Sequence, residues 1–265
     1  MANETLHDWI DVLQSHGKYT FSRTQAETDS GLTKESVKKA LQQLRRKKRV
    51  AKVKNYFYVI VPAEYRIPGA PPPPWYIHDL MRVMERPYYV GLLTAAGLHG
   101  VSHQQPQEFQ VMTDRPTRSL IVGRSRIRFV VNKFTKAART RAVKTPTGSM
   151  HVSTPETTAF DLVRYARTAG GINHVANLLA ELTSTVQGKR LVDVVRQCDD
   201  IPNTQRLGYL LEQVEGGRQH AKKLLAWLDQ QATTPSLLVP SASRAEAQED
   251  RRWRLVINSP VELEA

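Results

Sequence analysis

His99 and His103 stand four residues apart in "GLHGVSH", a spacing that on a helix brings two imidazoles to one face and can hold a metal. No HExxH pattern and no third ligand accompany them, and Gly100 and Ser102 mark the end of a helix. A packing or capping role is therefore expected, with no metal. Glu156 and Asp161 in "TPETTAFDLVRY" could form an acid–base pair, but Glu156 falls in a helix first turn, where the dipole favours a carboxylate for structural reasons alone. Cys198 is the single cysteine, which excludes an internal disulfide, and it reads as a small packed residue. Neither a G-x-S-x-G elbow nor a G-x-x-x-x-G-K-[ST] loop occurs. With no convergent catalytic set, the chain is expected to be no enzyme and to need no cofactor.

Cations carry more information. The 265 residues have a formal net charge of +13 and a pI near 10.0, a balance that favours polyanionic partners. The excess is local. Residues 1–74 carry net +6 and residues 75–146 net +8, whereas 147–200 carry −1 and 201–265 are neutral. Eight Lys and Arg lie between Lys34 and Arg49. On a helix, Val37, Ala40, Leu41 and Leu44 share one face. The opposite face presents Glu35, Lys39, Gln42 and Arg46, flanked by Ser36, Lys38 and Gln43. Cations mixed with Ser and Gln suit a surface that meets phosphates and reads base edges. A merely solvated cationic face is the bland alternative.

The elements around this helix favour the first reading. Thr5 to Gln14 has the apolar stripe of a helix, and Ser22 with Gln25 reads as a capping box for a second. Gly31 makes a turn, and Thr33 caps the cationic helix. "RVAKVKNYFYVIVP" then alternates as two strands about Asn55. Three helices with a tight turn between the last two, followed by a hairpin, predict a winged helix-turn-helix. The expected DNA contacts are Ser22, Arg23, Thr33, Lys34, Glu35, Ser36, Lys38, Lys39, Gln42, Arg46, Lys52, Lys54 and Asn55.

"PGAPPPPW" (68–75) reads as an extended proline spacer. It divides the chain into a DNA-binding domain at 1–67, a linker at 68–74 and a larger domain at 75–265. In the latter, "PWYIHDLMRVME" and "YVGLLTAAGLHGV" read as helices, and "EFQVMT", "SLIVG" and "RIRFVVNKF" as strands. Five amphipathic helices follow from Thr154, then a Pro/Ser/Ala-rich loop at 234–247 and a last strand, "RWRLVIN". This order predicts an α+β fold with a mixed sheet rather than repeating βαβ units.

A second cluster holds ten cations from Arg115 to Lys144, among them Arg118, Arg124, Arg126, Arg128, Lys133, Lys136, Arg139 and Arg141. Alternation predicts that Arg124, Arg126 and Arg128 share one strand face. That face could add DNA-backbone contacts, capture RNA or an acidic protein surface, or simply be solvated. Residues 108–146 contain only Glu108 and Asp114 as acids, a poor supply for a two-metal nuclease. No apolar run approaches the roughly 18 residues of a membrane span, and "MANETLHDWIDVLQ" has no export-signal core, so a soluble, cytoplasmic chain without membrane association is expected.

"YYVGLLTAAGLHGVSHQQPQEFQVMT" (88–113), "TPETTAFDLVRY" (154–165), "RLGYLLE" (206–212) and "RWRLVIN" (252–258) resemble, in type and order, the AbiEi-type antitoxins of type IV toxin–antitoxin pairs. The resemblance implies two jobs alongside phage defence. An N-terminal winged helix would bind inverted repeats in the promoter of its own operon, as monomers pairing cooperatively on DNA, and repress it. The C-terminal part would neutralise a nucleotidyltransferase-type toxin. The alternatives are an enzyme that processes nucleic acid and a transcription factor with a ligand-sensing C-terminal domain.

Overall fold

Helix starts in this chain are written in local cap chemistry. Thr5 accepts from the Asp8 N–H while Asp8 reaches back to the Thr5 N–H, opening α1 (Leu6–Ser15). Ser22 accepts from the Gln25 N–H at the head of α2 (Arg23–Ser30), which ends on Gly31 in the left-handed region, and Thr33 caps α3 (Lys34–Arg46). The computed structural model describes residues 5–101, 106–245 and 247–263. Among them, ten α-helices and twelve strands make a mixed α+β fold. Described residues within 1–89, 107–136 and 142–151 form one compact unit, and those within 90–106, 137–141 and 152–265 a second.

In the first unit, β1 (Thr20–Ser22), β2 (Val50–Lys54) and β3 (Phe57–Ile60) form an antiparallel sheet in the order β1-β3-β2. Helices α1 to α3 pack on it through Trp9, Ile10, Phe21, Val37, Leu41, Leu44 and Ile60. Phe21 stacks on Tyr58 at 5.5 Å and takes Trp9 edge-on at 5.2 Å. The proline run lies within this unit: Pro71 and Pro73 are buried, and Trp75 meets Tyr19 and Tyr65 edge-on. Just beyond, at α4 (Ile77–Val83), Asp79 accepts from the Thr20 hydroxyl at 2.6 Å.

A six-stranded sheet contains β4 (Tyr88–Val90), β5 (Glu108–Thr113), β6 (Leu120–Val122), β7 (Ser125–Val131), β8 (Thr140–Thr145) and β9 (Gly148–Ser153), in the order β6-β7-β5-β4-β9-β8. Strands β5 and β7 run parallel from Glu108↔Arg126 to Thr113↔Val131. Three features differ from the sequence reading. Tyr89 and Val90, assigned there to the start of a helix, belong to strand β4, and the following helix α5 (Leu92–Leu98) begins only after Gly91. Strands β8 and β9 are absent from that reading: β8 is exposed and polar, and in β9 the alternation is confined to Met150, His151 and Val152. Finally, β7 begins at Ser125, so Arg124 occupies the turn with Gly123 rather than the strand face. Gly123 has φ of +59°, and a Cβ there would sit 2.3 Å from the Pro68 carbonyl oxygen. This turn tolerates only glycine.

The second unit is mostly helical: α5, α6 (Pro155–Arg164), α7 (Ile172–Leu182), α8 (Gly188–Cys198), α9 (Ile201–Gln213) and α10 (Arg218–Leu228). A small sheet follows, with β10 (Ser236–Leu237) and β11 (Gln248–Asp250) flanking β12 (Leu255–Ile257). The loop expected at 234–247 thus contains a strand, two residues long. Trp253 is fully buried, and its indole N–H donates to Glu212 at 2.8 Å. Its ring lies flush on Gly208 of α9, where an added Cβ would fall 2.0 Å from a ring carbon. Gly208→Ala is accordingly expected to displace Trp253 and to destabilise the protein by about 1–3 kcal/mol or more through overpacking. Chemical denaturation should show a lower midpoint, and tryptophan emission should shift to the red in the folded baseline.

Candidate nucleic-acid interface

Helix α3 buries Val37, Leu41 and Leu44 and turns Lys34, Glu35, Ser36, Lys38, Lys39, Gln42 and Arg46 to solvent. The division follows from the 3.6-residue period, since the apolar positions recur at i, i+4 and i+7. Among the described residues, no carboxylate lies within ion-pair distance of Lys34, Lys38, Lys39, Arg46, Lys52 or Lys54. Arg49, at the end of the same cationic run, is different. It pairs with Asp11 and approaches His7 Nε2 at 3.3 Å, so it fastens α1 instead of adding to the free charge.

The β2–β3 hairpin turns through Asn55 and Tyr56. Lys54 faces Phe57 across it, and the register shifts between Lys52 and Lys54. Tyr56 has φ of +62° and is 63% exposed, while its carbonyl oxygen accepts from the Arg23 N–H at 2.8 Å. Sequence reasoning placed Tyr56 in the strand and assigned it no role. The two-residue Asn-Tyr turn was the available signal. Lys52 and Asn55 are exposed; Lys54 is half-buried, and its ammonium donates to Met84 Sδ at 3.5 Å.

Several expected contact residues are committed to structure. Ser22 and Thr33 hold helix caps, and the Thr33 hydroxyl also donates to Ser36 Oγ at 2.9 Å. Arg23 pairs with Glu27 at 2.8 Å and donates to the Lys34 carbonyl at 3.3 Å, binding α2 to the start of α3.

The second cationic set is divided between the two units. In the first unit, Glu108 on β5 reaches Arg126 at 3.7 Å and Arg128 at 3.3 Å, as the parallel register dictates. Arg115 pairs with Asp114 at 3.5 Å, and Lys133 sits 4.8 Å from the centre of the Phe134 ring. In the second unit, Arg139 pairs with Asp193 at 3.3 Å. Arg141 donates to His99 Nδ1 at 3.0 Å.

That last contact fixes the state of His99. An arginine can only donate, so Nδ1 accepts, and Nε2 carries the proton it gives to the Ser153 carbonyl at 2.9 Å. Burial, and then the Arg141 charge, lower the His99 pKa. Ser153 and Thr158 share a 2.7 Å hydrogen bond, so "GLHGV" and "STPETT" meet in one polar knot. His103 lies outside the described residues. Among those described, no group of three or more His, Cys, Asp and Glu could hold a metal ion. Glu156 is buried and accepts from the Gln187 N–H at 2.9 Å, locking the head of α8. Burial pushes the Cys198 thiol up to about 11, far from thiolate chemistry at neutral pH. No described helix is long and apolar enough to cross a membrane.

Residues 89–213, just under half of the chain, match the family model of the AbiEi antitoxin C-terminal domain. The chain carries an AbiEi antitoxin domain. The His99 knot, the buried Glu156 and the Gly208 seat for Trp253 all fall within the matched residues. No curated protein matches the chain. Among solved structures, one titled "Crystal structure of RV2827C protein from Mycobacterium tuberculosis" is similar in fold. It has a TM-score of 0.66 and 16% identity, covering 94% of this chain and 89% of that one. The common fold thus extends beyond the AbiEi segment to nearly the whole chain.

The AbiEi domain should lose stability on acidification through His99. Its folded pKa lies below the ordinary value of 6.5, so the unfolded chain binds the proton more readily. The contribution is complete above pH 6.5 and lost as pH falls towards the folded value. Thermal melts of wild type should drop between pH 7.5 and 5.5 by more than those of His99→Asn. Equal slopes would show that His99 does not titrate in this window.

Proposed function

We propose that the chain is the antitoxin of a type IV toxin–antitoxin pair that also represses its own operon. In this reading α1–α3 and the β2–β3 hairpin are a winged helix-turn-helix. Helix α3 enters the major groove of inverted repeats in the promoter, and Lys39, Gln42 and Arg46 face base edges and phosphates. Lys52, Lys54 and Asn55 of the wing lie along the backbone. The carrying observation is the uncompensated cationic face of α3 beside the hairpin, in a chain that also holds an antitoxin domain. Monomers pair on the two half-sites, which multiplies weak single contacts. Residues 75–265 neutralise a nucleotidyltransferase-type toxin, with Arg124 and the Arg126–Arg128 face of β7 engaging the toxin or the RNA it attacks.

This division of labour falls at the proline run but is better tested by substitution than by cutting there. A fragment ending at 67 would strip Trp75 from Tyr19 and Tyr65, and Asp79 from Thr20. In fluorescence anisotropy with promoter and scrambled duplexes, Lys39→Ala and Gln42→Ala should each reduce the preference for promoter by about 1–3 kcal/mol. Equal wild-type affinity for both duplexes would refute the repressor reading. In cells co-expressing a cognate nucleotidyltransferase-type toxin, both variants should still restore growth, while the triple Arg124/Arg126/Arg128→Ala variant should not.

A further inference from the structure

The hairpin has a second side. Lys52, Lys54 and Asn55 also line a cleft of about 540 Å³, closed opposite by Arg86, Thr117 and Arg118. Pro116 and Leu120 complete the walls, and no acid lines it. Arg86 is held in place by donating to the Arg115 carbonyl at 3.1 Å and to the Thr117 hydroxyl at 2.7 Å, which also fixes the loop that presents Arg118. Among the described residues, Lys52, Lys54, Arg86 and Arg118 have no carboxylate within ion-pair distance. The neighbouring acid, Asp114, is turned to Arg115. Burial, and then the charge of Arg86, lower the Lys54 pKa, as crowding of like charges in a recess requires.

Four cations held in a concave, acid-free recess repel one another unless an anion joins them. The cleft offers ammonium groups, guanidinium forks and an exposed Asn55 amide, a set that suits tetrahedral oxyanions with more than one negative charge. We infer that this cleft between the hairpin and the loop at 114–120 is a phosphate-binding site, distinct from the α3 face. The phosphate can come from the backbone of DNA flanking the repeat or from a free oligophosphate such as that of a nucleotide. The DNA source rests on the function proposed above; the free oligophosphate does not.

The test uses the full chain and Arg118→Ala, with Arg118→Glu as a stronger perturbation. Arg118 is exposed and caps nothing, so either variant should fold. Isothermal titration with inorganic tripolyphosphate and salt-dependent anisotropy with a promoter duplex carrying long flanks supply the two arms. If a free oligophosphate is the ligand, tripolyphosphate affinity falls about tenfold in Arg118→Ala, and further in Arg118→Glu, while the duplex salt slope is unchanged. If flanking DNA is the ligand, the slope of log K against log salt falls by about one in Arg118→Ala. Unchanged titration and unchanged slope in both variants would overturn the site. A wild-type chain with no preference for promoter DNA would instead defeat the repressor reading and leave the tripolyphosphate arm to decide this one.

Discussion

Residues 1–146 hold 25 Lys and Arg against 11 Asp and Glu, and the placement of those few carboxylates decides what the cations can do. Asp11 is used on Arg49, Glu27 on Arg23, Asp79 on Arg82, Asp114 on Arg115 and Glu108 on both Arg126 and Arg128. Asp11 ties α1 to the end of the cationic run and Glu108 ties β5 to β7, while the other pairs are local to one helix or one turn; none is large in energy, since all remain partly open to solvent. Their effect is one of allocation. The outer face of α3, the hairpin and Arg118 are left uncompensated, and local repulsion there is relieved only by an anionic partner or by salt.

The second unit is organised differently, around buried and half-buried polar groups that hydrogen-bond across long stretches of chain. Its sequence blocks are far apart in the chain yet converge: His99 on Ser153 and Thr158, Glu156 on the head of α8, Glu212 on the Trp253 indole. A buried carboxylate or imidazole is costly without partners, so each residue type demands its counterpart at a distant position. This explains why blocks such as "TPETTAFDLVRY" and "RLGYLLE" stand out in the sequence without resembling any catalytic motif.

How much could be read in advance follows from the range of the interactions. The caps at Ser22 and Thr33 were legible because their chemistry is complete within four residues. So was the two-sidedness of α3. Strand β4 was not, since three residues reveal nothing until Val90 pairs with Val152, 62 positions away. Arg124, Arg126 and Arg128 read as one free face because alternation is local, whereas Glu108 comes beside two of them only through parallel pairing. The cleft was invisible for the same reason. Arg86 and Arg118 are unremarkable alone and acquire meaning only beside Lys54.

Tyr56 occupies a left-handed conformation that costs a non-glycine residue roughly 1–2 kcal/mol. Its carbonyl oxygen is simultaneously gripped by the first N–H of α2. The hairpin tip is therefore not a loose flap that must be immobilised when a ligand arrives. Its backbone freedom has already been surrendered during folding, and at the one position where glycine would fit most easily the chain keeps a phenol ring held out to solvent. Such a tip is a stiff probe, able to dock with little further loss of entropy.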